Sequence, residues 1–197
     1  MLPLEIVFVL LILVWGLIGV VRGFSREIGA SIAIVLAMTS LSIFGPLVVT
    51  NVNMIAGKLT SFQIPVAASV PQGQSAFCAA PSPEQFTFYS LVFGAIVFMG
   101  YQGETLGLLT KVGRVPSGIF GLFVGLVNGW LVAGNLWFFL DKCAKYNVPA
   151  LGIQNANVAV LSQTAQTMIK LLPLNVIGEP VLLLGLLFLL LILRIAK

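Results

Sequence analysis

The stretch Ser117-Gly-Ile-Phe-Gly-Leu-Phe-Val-Gly-Leu-Val-Asn-Gly-Trp-Leu-Val-Ala133 decides the fold. Every fourth residue in it is small: Ser117, Gly121, Gly125, Gly129 and Ala133. Residues four apart stack on one face of a helix. That face is nearly bare, so a second helix can approach it backbone to backbone. In lipid, apolar side chains gain little by meeting each other, and helices associate through small-residue seams of this kind. No charge falls between Arg114 and Asp141. The segment therefore predicts a membrane-crossing helix, over 117–140, shaped to nest against another helix.

Composition points the same way. Of the 197 residues, 59% are hydrophobic and only 8% charged, and the mean hydropathy is +1.09. Soluble domains carry roughly 25% charge, so this chain could not keep a water-facing surface wet. A single small membrane domain follows for this length. The net charge of +4 is no nucleic-acid signature, because the basic residues sit at the ends of apolar runs and form no stripe with interleaved aromatics. Histidine is absent, which removes His-based acid–base catalysis and His-ligated haem, pigment or metal. Two cysteines without histidine do not build a usual zinc site. No metal and no cofactor are expected.

Outward from the seam, five apolar runs approach the ~20 residues that cross a ~30 Å hydrocarbon core. They cover 4–22, 28–50, 84–109, 117–140 and 180–196. No basic residue precedes the first run and no Ala-x-Ala site follows it, so it is expected to stay as a helix rather than be cleaved. Pro180 suits a first helical turn, and Arg194 and Lys197 suit the negative end of the last helix. That last run has no small-residue seam and is expected at the periphery of the bundle. Loops are expected over 51–83, which is rich in proline, and over 141–179. Inside the second loop, Leu161, Ala165, Met168, Ile169 and Leu172 share one helical face, which predicts an amphipathic helix at about 157–172, ended by Pro173 and lying in the interface plane. The expected fold is all-α: about five transmembrane helices plus one interfacial amphipathic helix.

Lys and Arg set the orientation. The short connections carry Arg22, Arg26, Lys111 and Arg114, and the tail carries Arg194 and Lys197. Five crossings put all six on one side, expected to be cytoplasmic. The N-terminus and both long loops then lie outside, and so do Cys78 and Cys143. A disulfide between the two is chemically permitted there. Two unrelated thiols are the alternative, since spacing in sequence gives no Cα separation.

Few polar groups could carry chemistry. Glu104 lies late in the third run, where Lys111 and Arg114 can reach it. A boundary ion pair is its plain reading, and a proton or ion relay is the sharper one. Asn128 and Asn135 are seven apart and share a helix face. They read as interhelical hydrogen-bond donors, or else as the lining of a polar path. The turn Arg22, Gly23, Arg26 and Glu27 keeps two arginines at the cytoplasmic face and is suited to an anionic lipid or a partner's acid. No nucleophile–base pair, phosphate loop or paired carboxylates occur, so no enzyme is expected.

The stretch Arg22-Gly-Phe-Ser-Arg-Glu27, set between two apolar helices with Glu5 opening the first, resembles the colicin V production protein (CvpA) family. The glycine run Gly118–Gly129, followed by Trp137-Phe-Phe-Leu-Asp141, is similar to that family's glycine-rich fourth helix, and Leu161–Pro173 to the amphipathic segment beyond it. The resemblance covers about residues 4–173. The family's Asp-Arg pair before the glycine helix is replaced here by Gly113-Arg-Val-Pro-Ser117, and the proline-rich loop and fifth helix are additions. The resemblance implies a bacterial cytoplasmic (inner) membrane protein linked to bacteriocin production or export, and brings no catalytic residues.

Two functional readings follow. The first is a non-catalytic bundle that acts through helix packing as a subunit or assembly partner of a larger complex, with a respiratory or photosynthetic assembly as one class of host. Its partners would be membrane lipids and other membrane subunits, not nucleic acid. The second is a transport or export component, which would need Glu104, Asn128 and Asn135 to line a path.

Overall fold

The structure, a computed structural model, describes residues 4–59, 78, 81–102, 117–149 and 162–195. These fold into an all-helical bundle in which seven helices are formed among the described residues. They are α1 (Leu4–Arg22), α2 (Phe24–Leu59), α3 (Pro83–Gln102), α4 (Ser117–Lys142), α5 (Gln163–Lys170), α6 (Pro173–Ile177) and α7 (Pro180–Ile195). Among the described residues, three stretches are long and apolar enough to cross a membrane: Leu4–Arg22, Phe24–Gly45 and Gly118–Lys142. The apolar helix α7 is shorter.

The small-residue seam of α4 is filled from within the chain. Its partner is α1, which runs antiparallel and carries small residues of its own. A Cβ added to Gly121 would strike the carbonyl oxygen of Gly19, and one added to Gly19 would strike that of Gly121. Further along, a Cβ on Gly125 would lie 2.6 Å from the Trp15 carbonyl oxygen, and one on Gly129 would lie 2.9 Å from Ile12 Cα. The two backbones touch, as small residues on both facing surfaces allow. Ala133 is buried at the end of the same row, and Ser117 opens the helix.

Gly23 makes the turn from α1 to α2. Its φ of 80° lies in the left-handed region that a Cβ disfavours, and its N–H still reaches the Gly19 carbonyl at 2.9 Å. The second helix therefore begins at Phe24, a turn earlier than expected. It also runs on to Leu59, through Pro46 and across residues 51–59, where a loop was expected. Proline forfeits one backbone hydrogen bond, and the helix continues past it to Leu59. The remainder of the proline-rich loop, apart from Cys78 and residues 81–83, lies outside the described residues, as do 103–116.

α3 closes the bundle against α2 and α4. Tyr89 stacks on Phe139 (5.8 Å between ring centroids), and Phe93 meets the same ring edge-on at 5.9 Å. These aromatics fill the middle of the core with Met38, Ile34 and Val35. α7 packs on α2 through Leu183, which is fully buried, while most of its other side chains face outward. A peripheral last helix is what its lack of a seam predicts.

The expected amphipathic helix is formed over Gln163–Lys170, with Ser162 as its N-cap accepting from the Ala165 N–H at 3.0 Å. Residues 151–161 lie outside the described residues. Pro173 ends one helix and, as a first-turn residue, starts the next. This α5–α6 pair docks on the flank of the α1–α4 pair. Pro173 lies over Gly134, and the Trp130 indole N–H donates to the Leu171 carbonyl at 3.2 Å.

Candidate functional site

The site grows from the turn between the first two helices. Gly23 lets α2 start beside the end of α1, and one turn into α2 the chain carries Glu27. The closeness of α1 to α4 brings Asn128, on the face next to the seam, up to the same point. Tyr101 arrives from the end of α3. Glu27 and Asn128 are both fully buried.

The Glu27 carboxylate is surrounded by donors. Arg22 Nη1 donates to Oε1 at 3.2 Å, while the Tyr101 hydroxyl (3.2 Å) and Asn128 Nδ2 (2.9 Å) donate to Oε2. Asn128 Nδ2 also lies 3.0 Å from the Glu27 carbonyl oxygen. Ser31, one turn after Glu27, donates to Asn128 Oδ1 at 2.7 Å. Arg22 Nη2 donates to the Tyr101 carbonyl at 3.2 Å, and its guanidinium lies 4.5 Å from the centre of the Tyr101 ring. Trp15 meets that ring edge-on. A lone buried charge is expensive unless it is paired and hydrogen-bonded. Here a cation, a phenol and an amide all converge on one carboxylate. Breaking such a buried arrangement by removing one member leaves the others uncompensated.

Chemically the cluster is closed. Both carboxylate oxygens are engaged, the acid is sealed from solvent, and the neighbouring Tyr101 and Ser31 hydroxyls are themselves spent as hydrogen-bond donors. Among the described residues no group of three or more Cys, Asp or Glu side chains could hold a metal ion. The arrangement can fix the relative positions of α1, α2, α3 and α4 at one end of the bundle.

The other expected residues are scattered. Arg26 is exposed on the outer side of the same turn. Glu104, with Lys111 and Arg114, lies outside the described residues. Asn135 is fully buried two turns from Asn128; its Nδ2 donates to the Leu131 carbonyl at 2.5 Å, and its Oδ1 has no hydrogen-bond partner among the described residues. One turn further along, Phe139 and Phe93 fill the core. At the opposite end, Cys78 and Cys143 form a disulfide, with their Cα atoms 4.7 Å apart. The chain beyond it turns sharply through Lys145 and Tyr146, both at positive φ. The buried Tyr146 hydroxyl accepts the Trp137 indole N–H at 3.1 Å. Burial holds that phenol above its usual pKa, so it stays neutral.

Two members of the cluster, Ser31 and Tyr101, were not singled out from the sequence, and neither were Gly16 and Gly19 of the seam. Ser31 is four residues after Glu27, a spacing that puts both on one face. Tyr101 sits at the end of an apolar run and gives no periodic signal. Gly16 and Gly19 in α1 are the counterpart of the α4 seam, and their spacing of three with Gly23 four further on was the clue.

Against known proteins the chain stands by itself: no protein family, no curated protein and no solved structure matches it.

Proposed function

We propose that this chain is a non-catalytic protein of the bacterial cytoplasmic membrane that works as a subunit or assembly partner of a larger complex. The observation that carries the reading is the saturated carboxylate of Glu27. An acid that accepts from Arg22, Tyr101 and Asn128 together, away from solvent, holds shape and has no spare capacity for turnover. The glycine seam is likewise spent on internal packing. What remains for function is the outer surface, which is broad and apolar on α1 and α7. In this reading α3 and α7 also cross the membrane, giving five spans. The Arg22 end faces the cytoplasm and the disulfide end faces outside, where oxidation is favoured. The CvpA-like turn, Arg22 to Glu27, supports a bacterial inner-membrane setting.

Purification in mild detergent from native membranes, followed by mass determination of the intact particle, tests this. A defined set of partners in fixed stoichiometry is expected. A lone monomer at native expression refutes it.

A second reading, an export-related transport component linked to bacteriocin production, is favoured by one observation: the Asn135 Oδ1 in the core, which has no hydrogen-bond partner among the described residues. Flux in reconstituted vesicles, lost in Asn135→Leu, would support it, and no flux in the parent would end it.

A further inference from the structure

We infer that the Arg22 end of the bundle binds the phosphate of an anionic phospholipid between Arg26 of α2 and Arg194 of α7. This rests on the membrane reading above. α7 packs on the core through Leu183, Leu186, Leu187 and Leu190, the three- and four-residue spacing of one helix stripe. Arg194 is the next member of that stripe, so a face otherwise made of leucine ends in a guanidinium. The guanidinium lies over Gly29 of α2. A Cβ added to Gly29 would lie 2.7 Å from Arg194 Nη1 and 3.8 Å from its Cζ, and the three nearest atoms all belong to this group. The bare glycine makes the notch that admits it, and the side chain is still half-exposed. Arg26 comes three residues before Gly29, which puts it on the same side of α2 with ~5–6 Å between the Cβ positions. Arg26 is exposed, and among the described residues no carboxylate pairs with it. Ser25, four before Gly29, brings a hydroxyl to that side as well.

The distribution of charge gives the ligand its sign. Among the described residues this end carries Arg22, Arg26 and Arg194 against a single acid, Glu27, which is already paired with Arg22. Glu5, Glu84, Asp141 and Glu179 stand toward the opposite end, where α1, α3 and α7 begin and α4 finishes. Two guanidiniums on one side of α2 repel each other, and an anion held between them reverses that sign. The planar fork of arginine matches phosphate oxygens in pairs, and its five N–H donors let it keep a protein contact at the same time. Basic pockets between helices on the cytoplasmic side receive lipid headgroups by this chemistry. The surroundings select a lipid over a soluble phosphate. Leu193 and Ile195, on either side of Arg194, are exposed, and Leu184, Phe188 and Leu191 form an exposed apolar row that runs from it along α7, where acyl chains can lie.

The test reconstitutes the full chain into vesicles of phosphatidylcholine and phosphatidylglycerol in equal parts. Alkaline-carbonate extraction comes first: a chain washed off the vesicles contradicts the membrane reading itself and overturns the inference with it. Inserted protein is then taken into mild detergent, and the lipids it keeps are counted by native mass spectrometry. Retention of phosphatidylglycerol in preference to phosphatidylcholine is expected. Equal retention of the two overturns the inference and leaves the membrane reading intact. Arg26→Gln and Arg194→Gln should each weaken phosphatidylglycerol retention at least about fivefold, whereas Lys170→Gln, an exposed cation on α5, should not change it. Arg26 is on the surface, so its variant tests the site even where Arg194→Gln loosens α7. Unchanged retention in Arg26→Gln, or an equal loss in Lys170→Gln, means that no site exists at α2 and α7. Millimolar glycerol phosphate is expected to leave the lipid in place. Full displacement by it assigns the arginines to a soluble phosphate and overturns the lipid assignment.

Discussion

Gly125→Ala adds one methyl group to the tightest part of the bundle. The new Cβ would lie 2.6 Å from the Trp15 carbonyl oxygen, 3.0 Å from Gly19 Cα and 3.2 Å from Gly16 Cα, where ordinary contact begins at 3.4 Å. All three atoms are backbone, so none can swing aside. Relief requires α1 to retreat by about 0.8 Å along the seam. A gap of that size forfeits between a quarter and a half of the dispersion well for each pair of atoms it separates, and overpacked sites typically lose about 1–3 kcal/mol. Against this, Gly→Ala in a helix gains up to about 1 kcal/mol in propensity. Gly94→Ala makes the same chemical change where nothing lies within 4 Å of the new Cβ, so it keeps the gain without the clash. The two variants should differ by about 1–3 kcal/mol, or roughly 2–12 °C in midpoint for a domain of this size, with Gly125→Ala the weaker. Thermal unfolding in one detergent, followed by near-UV circular dichroism, gives the comparison. Equal midpoints would refute the argument that backbone contact between α1 and α4 organises the bundle.

Asn128→Leu removes two hydrogen bonds to Glu27 and the acceptor used by Ser31. A loss of about 1–3 kcal/mol is expected, and a double-mutant cycle with Glu27→Gln should show coupling of at least about 0.6 kcal/mol; additive effects would mean that the two side chains act independently. Cys143→Ser opens a loop closed over a sequence separation of 65, which loop-closure entropy values at roughly 4 kcal/mol. Denaturant unfolding of the parent with and without reductant measures the same quantity, and rapid alkylation of either cysteine in the untreated protein would show that no bond is present. Ser162→Ala removes the cap of α5 together with its link to Glu5. It should release α5 at a cost of about 1 kcal/mol, seen as faster amide exchange from Ala165 to Lys170 with exchange in α4 unchanged.

The seam was legible because a four-residue beat in an apolar run has one geometric meaning. Its counterpart in α1 was harder to read, since Gly16, Gly19 and Gly23 follow no single interval and lie among exposed leucines and valines. What the beat left open was the partner helix, because a bare face states only that something comes close. The end of α2 was misread for a physical reason. A proline and a run of polar residues both lower the expectation of helix, yet neither prevents one when the flanking residues propagate it. Glu27 presents the sharper lesson. In a stretch with two arginines it reads as a solvated turn residue. Its burial depends on Asn128 and Tyr101, which are 101 and 74 residues away in sequence, and no local pattern carries that information.

The seam and the buried acid depend on each other. Glu27 tolerates its surroundings only because Asn128 donates to it, and Asn128 reaches it only because glycines at 121, 125 and 129 let α4 settle against α1 and bring its adjacent face to α2. If α1 were pushed outward, Arg22, near its last turn, would move with it, and the carboxylate would lose its cation as well as its packing. Each residue in the pair of features therefore constrains the others more than its own contacts suggest. Gly125→Ala and Asn128→Leu should accordingly be less than additive when combined, since either one already loosens the end of the bundle that the other depends on. Additive losses would separate the two features and reduce the polar cluster to a local clasp.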